Sequence, residues 1–247
     1  MTDREEFYRQ VKNAIGKRPK FKQKPLGIPA ESNFPEGATL EKQEISDPSD
    51  IVTDELFSSC IKAGWNLHRA KDREGVIRHV LDIVASSETN KVVLSEDWLL
   101  NELGVSESLN DTGFNTIKVS GTKNETRESM RDTIIQADIG ITGADYVIAE
   151  TGSCVISAGK GASRLVSLVP PVHIVIADKS AIIPGLNELF SLLHISSVSK
   201  PSNEMTSHIS IISGPSRSAD IEYTLIQGVH GPGEVHMIIL EDHLTHP

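Results

Sequence analysis

The apolar positions of this chain recur with two periods, and their alternation predicts the architecture. Phe7, Val11 and Ile15 recur at four-residue spacing, so residues 1–16 read as a short amphipathic helix. Leu56, Phe57, Cys60 and Ile61 form one helical stripe, opened by Thr53 or Asp54 as cap and closed at Gly64. Val76, Ile77, Val80, Leu81 and Val84 repeat that pattern, which predicts a second helix with one buried face. Lys91–Ser95 reads as a short buried strand, 96–103 as a helix stopped at Gly104, and Thr116–Ser120 as a strand. Thr122 and Glu125 have capping-box spacing ahead of a helix through Met130, Ile134 and Ile135. Strands follow at Tyr146–Ala149, Cys154–Ser157 and His173–Ala177, then a helix near 183–193 and a strand at His208–Ser213. A helix from about Ser218 to Gln227 and a closing strand, Val235–Leu240, complete the pattern. Strands alternating with helices of these lengths predict an α/β domain over 51–247 with a mainly parallel sheet flanked by helices. Ligands of such sheets sit beyond the carboxyl ends of the strands, and chemistry is sought in those loops.

Residues 17–50 break the pattern. Five of the twelve prolines fall there, which reads as an extended arm joining the N-terminal helix to the domain. Lys17, Arg18, Lys20, Lys22 and Lys24 surround Phe21 in that arm, and the run reads as a solvated tether. Of the 247 residues, 24 are Lys or Arg and 34 Asp or Glu, a net charge of −10 that argues against a general nucleic-acid binder. No apolar run reaches the ~20 residues of a membrane span, and the charged N-terminus lacks a signal core, so a cytoplasmic protein is expected. Two cysteines cannot supply four thiolates, so this chain is expected to carry no iron–sulfur cluster of its own. Cys60 on a helix and Cys154 in a strand are both read as core residues, not expected to meet. The nine histidines show no compact ligand spacing; His243 and His246 are the close pair, and no metal site is expected.

Four stretches carry candidate chemistry. In Ser213–Glu222 an aliphatic strand runs through Gly214 into the predicted helix, where Ser216 or Ser218 would cap free N–H groups. A helix N-terminus attracts anions, and Arg217 adds a fork of donors; equally, Arg217 could pair with Asp220 or Glu222 in a self-capped helix. Glu150-Thr151-Gly152-Ser153 reads as a turn between strands, presenting either a carboxylate base or nucleophile or simply an exposed Glu. Gly159–Arg164 fails as a dinucleotide fingerprint because its sixth position is Arg, but Lys160 and Arg164 could clamp an anion. In Gly228–Gly233 a tight turn accounts for every residue except His230, a candidate proton-transfer group. The candidate set is therefore Glu150 and His230 for catalysis, with Thr151, Ser153, Lys160, Arg164, Gly214, Ser216, Arg217 and Asp220 for substrate or anion binding.

Ala149–Ser153, Gly159–Pro171, Ser213–Glu222 and Gly228–Pro232 together resemble the LUD-domain family, in its lactate-utilisation C branch. The resemblance runs over roughly 50–247 and includes the short N-terminal helix; the family's pattern has Thr at Ser153 and Ser218, and both substitutions keep the hydroxyl. It implies a fold similar to the glucosamine-phosphate isomerase, ribose-phosphate isomerase and CoA-transferase group. It also implies a part in oxidising L-lactate to pyruvate beside a partner subunit that carries iron–sulfur clusters. The alternatives are an independent CoA-transferase-like or isomerase-like enzyme, or a metabolite-binding module, acting on a small carboxylate, CoA ester or sugar phosphate.

Overall fold

The computed structural model describes residues 50–87, 91–119, 127–158, 164–199, 208–219 and 225–242. The N-terminal helix, most of the Pro-rich arm with its basic run, the Thr122–Glu125 box and the His243/His246 pair lie outside those residues.

The described chain opens with α1 (Asp50–Ala63), β1 (Asn66–Ala70), α2 (Arg73–Ser86), β2 (Lys91–Ser95), α3 (Trp98–Glu102), α4 (Val105–Asp111) and β3 (Asn115–Val119). It continues through α5 (Arg127–Ile135), β4 (Ile139–Gly143), β5 (Tyr146–Ile148), β6 (Ser153–Ala158), α6 (Leu165–Leu168) and β7 (Val172–Asp178). The last elements are β8 (Ile182–Ile183), α7 (Leu186–Ser199), β9 (His208–Ile212), β10 (Arg217–Ala219), β11 (Leu225–Gln227) and β12 (Glu234–Leu240).

Six strands form one sheet in the order β1-β12-β7-β4-β2-β3, and all five pairings are parallel. The central β7 and β12 read almost wholly aliphatic because helices or a second sheet cover both faces. One face buries Ile174, Ile176, Ile238 and Leu240 against Val76, Val80 and Val84 of α2 and Leu99 and Leu100 of α3. The other buries Val175, Val235, Met237 and Ile239 against Leu56 and Cys60 of α1 and Val147 and Cys154 of a smaller sheet. That smaller sheet has the order β8-β5-β6-β9, and its far side packs Ile148, Val155 and Ile183 on Leu189 of α7. Asp72 starts α2 by accepting a 2.9 Å bond from Gly75 N, which supplies a partner for one orphan N–H of the first turn.

The expected parallel α/β architecture is present, with local departures; the edge strand β1 and the helix α4 are among the elements that the periodicity did not predict. Both described ends of the predicted helix at 218–227 are strand instead: Arg217–Ala219 and Leu225–Gln227 pair antiparallel, Arg217 opposite Gln227. The strand β4, Ile139-Gly-Ile-Thr-Gly143, carries two glycines and gave no strand signal. Its glycines are spacing elements. A Cβ on Gly140 would run into the Val166 carbonyl of α6, and one on Gly143 would stand 2.8 Å from Asp97 Oδ2. Cys60 and Cys154 both lie in the core as expected, as free thiols of one hydrophobic cluster.

Candidate functional site

The turn joining β5 to β6 is held from three sides. Ala149 N and Glu150 N donate to Ile183 O and Pro184 O, each at 2.9 Å. Trp65 Nε1, just beyond the end of α1, donates to Gly152 O at 2.8 Å, and Ser59 Oγ donates to Glu150 O at 3.3 Å. Gly152 has φ +60°, and a Cβ there would lie 2.6 Å from Cys60 N, so only glycine lets the turn press on the helix backbone. From this turn Thr151 Oγ1 reaches Ser153 Oγ at 2.7 Å, and Ser153 Oγ reaches Ser213 Oγ at 2.6 Å. Ser153 is 1% exposed and Ser213 is open to solvent, so three hydroxyls form a hydrogen-bonded chain leading inward from the surface. Glu150 itself is exposed, and its carboxylate lies over Gly185 beside that of Glu188.

The 213–217 segment runs against the same end of α1. Gly214, at φ +102°, has Ala63 O where a Cβ would be, and Arg217 Nη2 occupies the place a Cβ would take on Gly64. Gly64 N donates to Cys60 O and Ile61 O, closing α1 with a left-handed glycine. Arg217 therefore stands at the C-terminal, partially negative end of α1 and not at the N-terminus of a following helix. This corrects the strand-to-helix junction expected from Ser213–Glu222: its donors are not a helix N-terminus, because the segment continues as β10.

Ser216 ties this segment to the 228–233 loop. Its N donates to Pro232 O at 2.8 Å, its carbonyl accepts from Gly228 N at 3.0 Å, and its Oγ accepts from His230 N at 3.4 Å. Gly233 N donates to Pro171 O at 3.0 Å, anchoring the loop where β7 begins. His230 is exposed on this loop, and Arg164 is exposed at the start of α6. Lys160 and Asp220 lie outside the described residues.

The structure thus gathers Thr151, Ser153, Gly214, Ser216, Arg217 and His230 around the end of α1, with Glu150 at the margin. They lie at the amino ends of β1, β7 and β12, whereas the general rule for parallel sheets pointed to the carboxyl ends. The strand order changes direction between β2 and β4; there Asp97 caps α3 by accepting from Leu99 N at 2.9 Å, and no sequence candidate is present. Ser59, Trp65 and Glu188 escaped the sequence reading because only tertiary packing brings them to the turn. Neither cysteine is poised for thiolate chemistry: burial pushes the Cys60 thiol up to about 12 and Cys154 higher still, the latter aided by Cys60. Among the described residues no three His, Cys, Asp or Glu side chains stand ready to hold a metal ion, and no helix is long and apolar enough to cross a membrane.

The family model described as the LUD domain matches residues 54–240. A protein of Halalkalibacterium halodurans called lactate utilization protein C is 35% identical over 196 residues, covering 78% of this chain and 81% of that protein. Lactate utilization protein B of Shouchella clausii is 24% identical over 239 residues, covering 78% of this chain but 49% of that protein. A solved DUF162-family protein of Deinococcus radiodurans superposes with TM-score 0.53 at 15% identity, over 77% of this chain and 97% of that one, a likeness of fold.

Proposed function

The chain belongs to the LUD-domain family, and from that premise we propose that it serves lactate utilisation as the subunit without iron–sulfur clusters. The observation that carries this is its similarity, along most of both chains, to proteins called lactate utilization protein C. Oxidation of L-lactate to pyruvate removes two electrons and two protons. This chain has two cysteines, both buried as free thiols, so its own donor set does not fit a four-thiolate cluster. Iron–sulfur clusters on partner subunits would supply the acceptor for those electrons, and a small anionic substrate would be held at the end of α1. In that reading Arg217 and Arg164 attract the carboxylate, Ser213 and Ser153 offer hydroxyls, and His230 and Glu150 are the candidate bases for the two protons that leave the substrate hydroxyl and Cα. All this would take place in the cytoplasm.

The test is reconstitution. The full chain is mixed with its iron–sulfur partners, and L-lactate oxidation is followed with an artificial electron acceptor. Turnover that requires both supports the proposal; comparable turnover by this chain alone overturns it. Trapping a covalent adduct at Glu150 with a CoA ester would instead establish an independent group-transfer enzyme.

A further inference from the structure

Three hydroxyls of the site stand in one line, and burial of the middle one constrains what the outer two can do. Cys154 of β6 is registered with Ile212 of β9 in an antiparallel pair, so the next pair along is Ser153 and Ser213. Their Oγ atoms are 2.6 Å apart, and Thr151 Oγ1 meets Ser153 Oγ at 2.7 Å. Ser153 is 1% exposed, whereas Thr151 is half-buried and Ser213 exposed.

A hydroxyl has one proton to give and two lone pairs that accept. Oxygens this close need a proton between them, so each of the two contacts carries one. If Ser153 accepted from both neighbours, its own proton would be buried without an acceptor, which is costly. Ser153 therefore donates to one neighbour and accepts from the other. The chain then has two polarities. In one, Thr151 donates to Ser153, Ser153 donates to Ser213, and the Ser213 proton points out of the chain. In the other, every proton is turned the opposite way, and Ser213 presents only lone pairs outward. An anionic oxygen only accepts, so an anion at Ser213 selects the first polarity. The surroundings suit an anion. Gly214, next to Ser213, packs on Ala63 O, and the Arg217 guanidinium lies beside Gly64, so both stand against successive residues of α1. The guanidinium brings five N–H donors and no acceptor.

We propose that Ser213 gives a hydroxyl hydrogen bond to the anionic oxygen of a small carboxylate ligand, and that Ser153, which does not touch the ligand, is the positioning residue that aims the Ser213 proton at it. This rests on the reading that a small anion is held at the end of α1, and it gives the two serines separate parts. In the bound state Thr151 donates to Ser153, Ser153 to Ser213 and Ser213 to the anion. Each bond polarises the next, and the bond from Ser153 fixes the Ser213 hydroxyl before the ligand arrives. No proton leaves its oxygen.

The experiment titrates the full chain with L-lactate, pyruvate and inorganic phosphate in turn, following backbone amide shifts by NMR so that weak binding is still measured. The titrations are repeated on Ser213→Ala, Ser153→Ala and the double variant, with a melting temperature for each. At least one of the two carboxylates is expected to bind, and Ser213→Ala to weaken it about tenfold or more, the loss of a bond to a charged group. Ser153→Ala should weaken it about three- to tenfold, and Ser153→Thr, which keeps the hydroxyl, should restore most of the affinity. A residue that acts through Ser213 adds nothing once Ser213 is gone, so Ser153→Ala should leave the affinity of the Ser213→Ala protein unmoved. A packing role for Ser153 predicts the same loss in both backgrounds. Binding of neither carboxylate, an affinity indifferent to Ser213, or additive losses from the two substitutions would overturn the assignment. Carboxylate binding that depends on both serines, without lactate turnover in the reconstituted system, would overturn the lactate reading and leave this one standing.

Discussion

His173 makes the stability of this protein depend on pH in a way that can be worked out. It is fully buried at the start of β7; its Nε2 meets Thr142 Oγ1 at 2.8 Å, and its Nδ1 has no hydrogen-bond partner. Burial, with a smaller contribution from His236, pulls its pKa from the ordinary 6.5 down to about 3. In the unfolded chain the same ring takes up a proton below about 6.5, so acid favours the unfolded state and stability falls as pH drops from about 6.5 towards 3. At 1.36 kcal/mol for each unit below the unfolded value, His173 alone withdraws about 2 kcal/mol by pH 5. His173→Gln keeps a partner for the Thr142 hydroxyl and cannot titrate. Urea unfolding of the two proteins at pH 7 and pH 5 gives the difference in stability at each. The variant is expected to be the less stable at pH 7, and the gap should shift in its favour by about 2 kcal/mol at pH 5. Thr142→Val, which keeps the ring, should retain the full acid slope. A gap constant within about 0.5 kcal/mol across that range would refute the reasoning, because titration at a distant site would then be common to both proteins.

Gly152→Ala should lower the melting temperature, because the left-handed backbone alone costs about 1–2 kcal/mol and the new methyl strikes the Ser59–Cys60 backbone. Cys60 and Cys154 should resist an alkylating reagent at pH 8 in the folded protein and react fully in denaturant; rapid modification of the native protein would contradict their burial. Arg217→Ala should weaken lactate binding to the reconstituted system about ten- to a hundredfold, the loss of one charge-assisted bond. It should also lower stability slightly through the end of α1, with Arg217→Lys restoring only part of the affinity. An unchanged affinity with a lowered melting point would leave Arg217 as a helix-end residue alone. The isolated chain, made anaerobically, should be colourless and free of stoichiometric iron by elemental analysis; a visible cluster band would overturn the subunit assignment.

The local periodicities of this sequence determined most of its elements. The stripes of Leu56–Ile61 and Val76–Val84 specify α1 and α2, and the aliphatic runs of β7 and β12 specify strands buried on both faces, because burial selects apolar side chains at regular spacing. The turn at Glu150–Ser153 was legible too, from glycine between two aliphatic runs. What local pattern could not carry was whatever depends on a distant neighbour. β4 is a strand despite Gly140 and Gly143 because α6 and Asp97 fill the space those glycines leave. Ser218–Gln227 read as a helix behind the capping hydroxyls of Ser216 or Ser218, yet the Ser216 backbone bonds the 228–233 loop, and Arg217–Ala219 pairs with Leu225–Gln227 in the β10–β11 ladder. The site shows the same division: residue types in the loops announced hydroxyl and anion chemistry. Only the packing of Gly152, Gly64 and Gly214 on the end of α1 decided that they meet at the amino edge of the sheet. Local propensity is a matter of tenths to about one kcal/mol per residue, and the steric exclusion and hydrogen-bond satisfaction that distant segments impose are larger, so tertiary structure had the final say there.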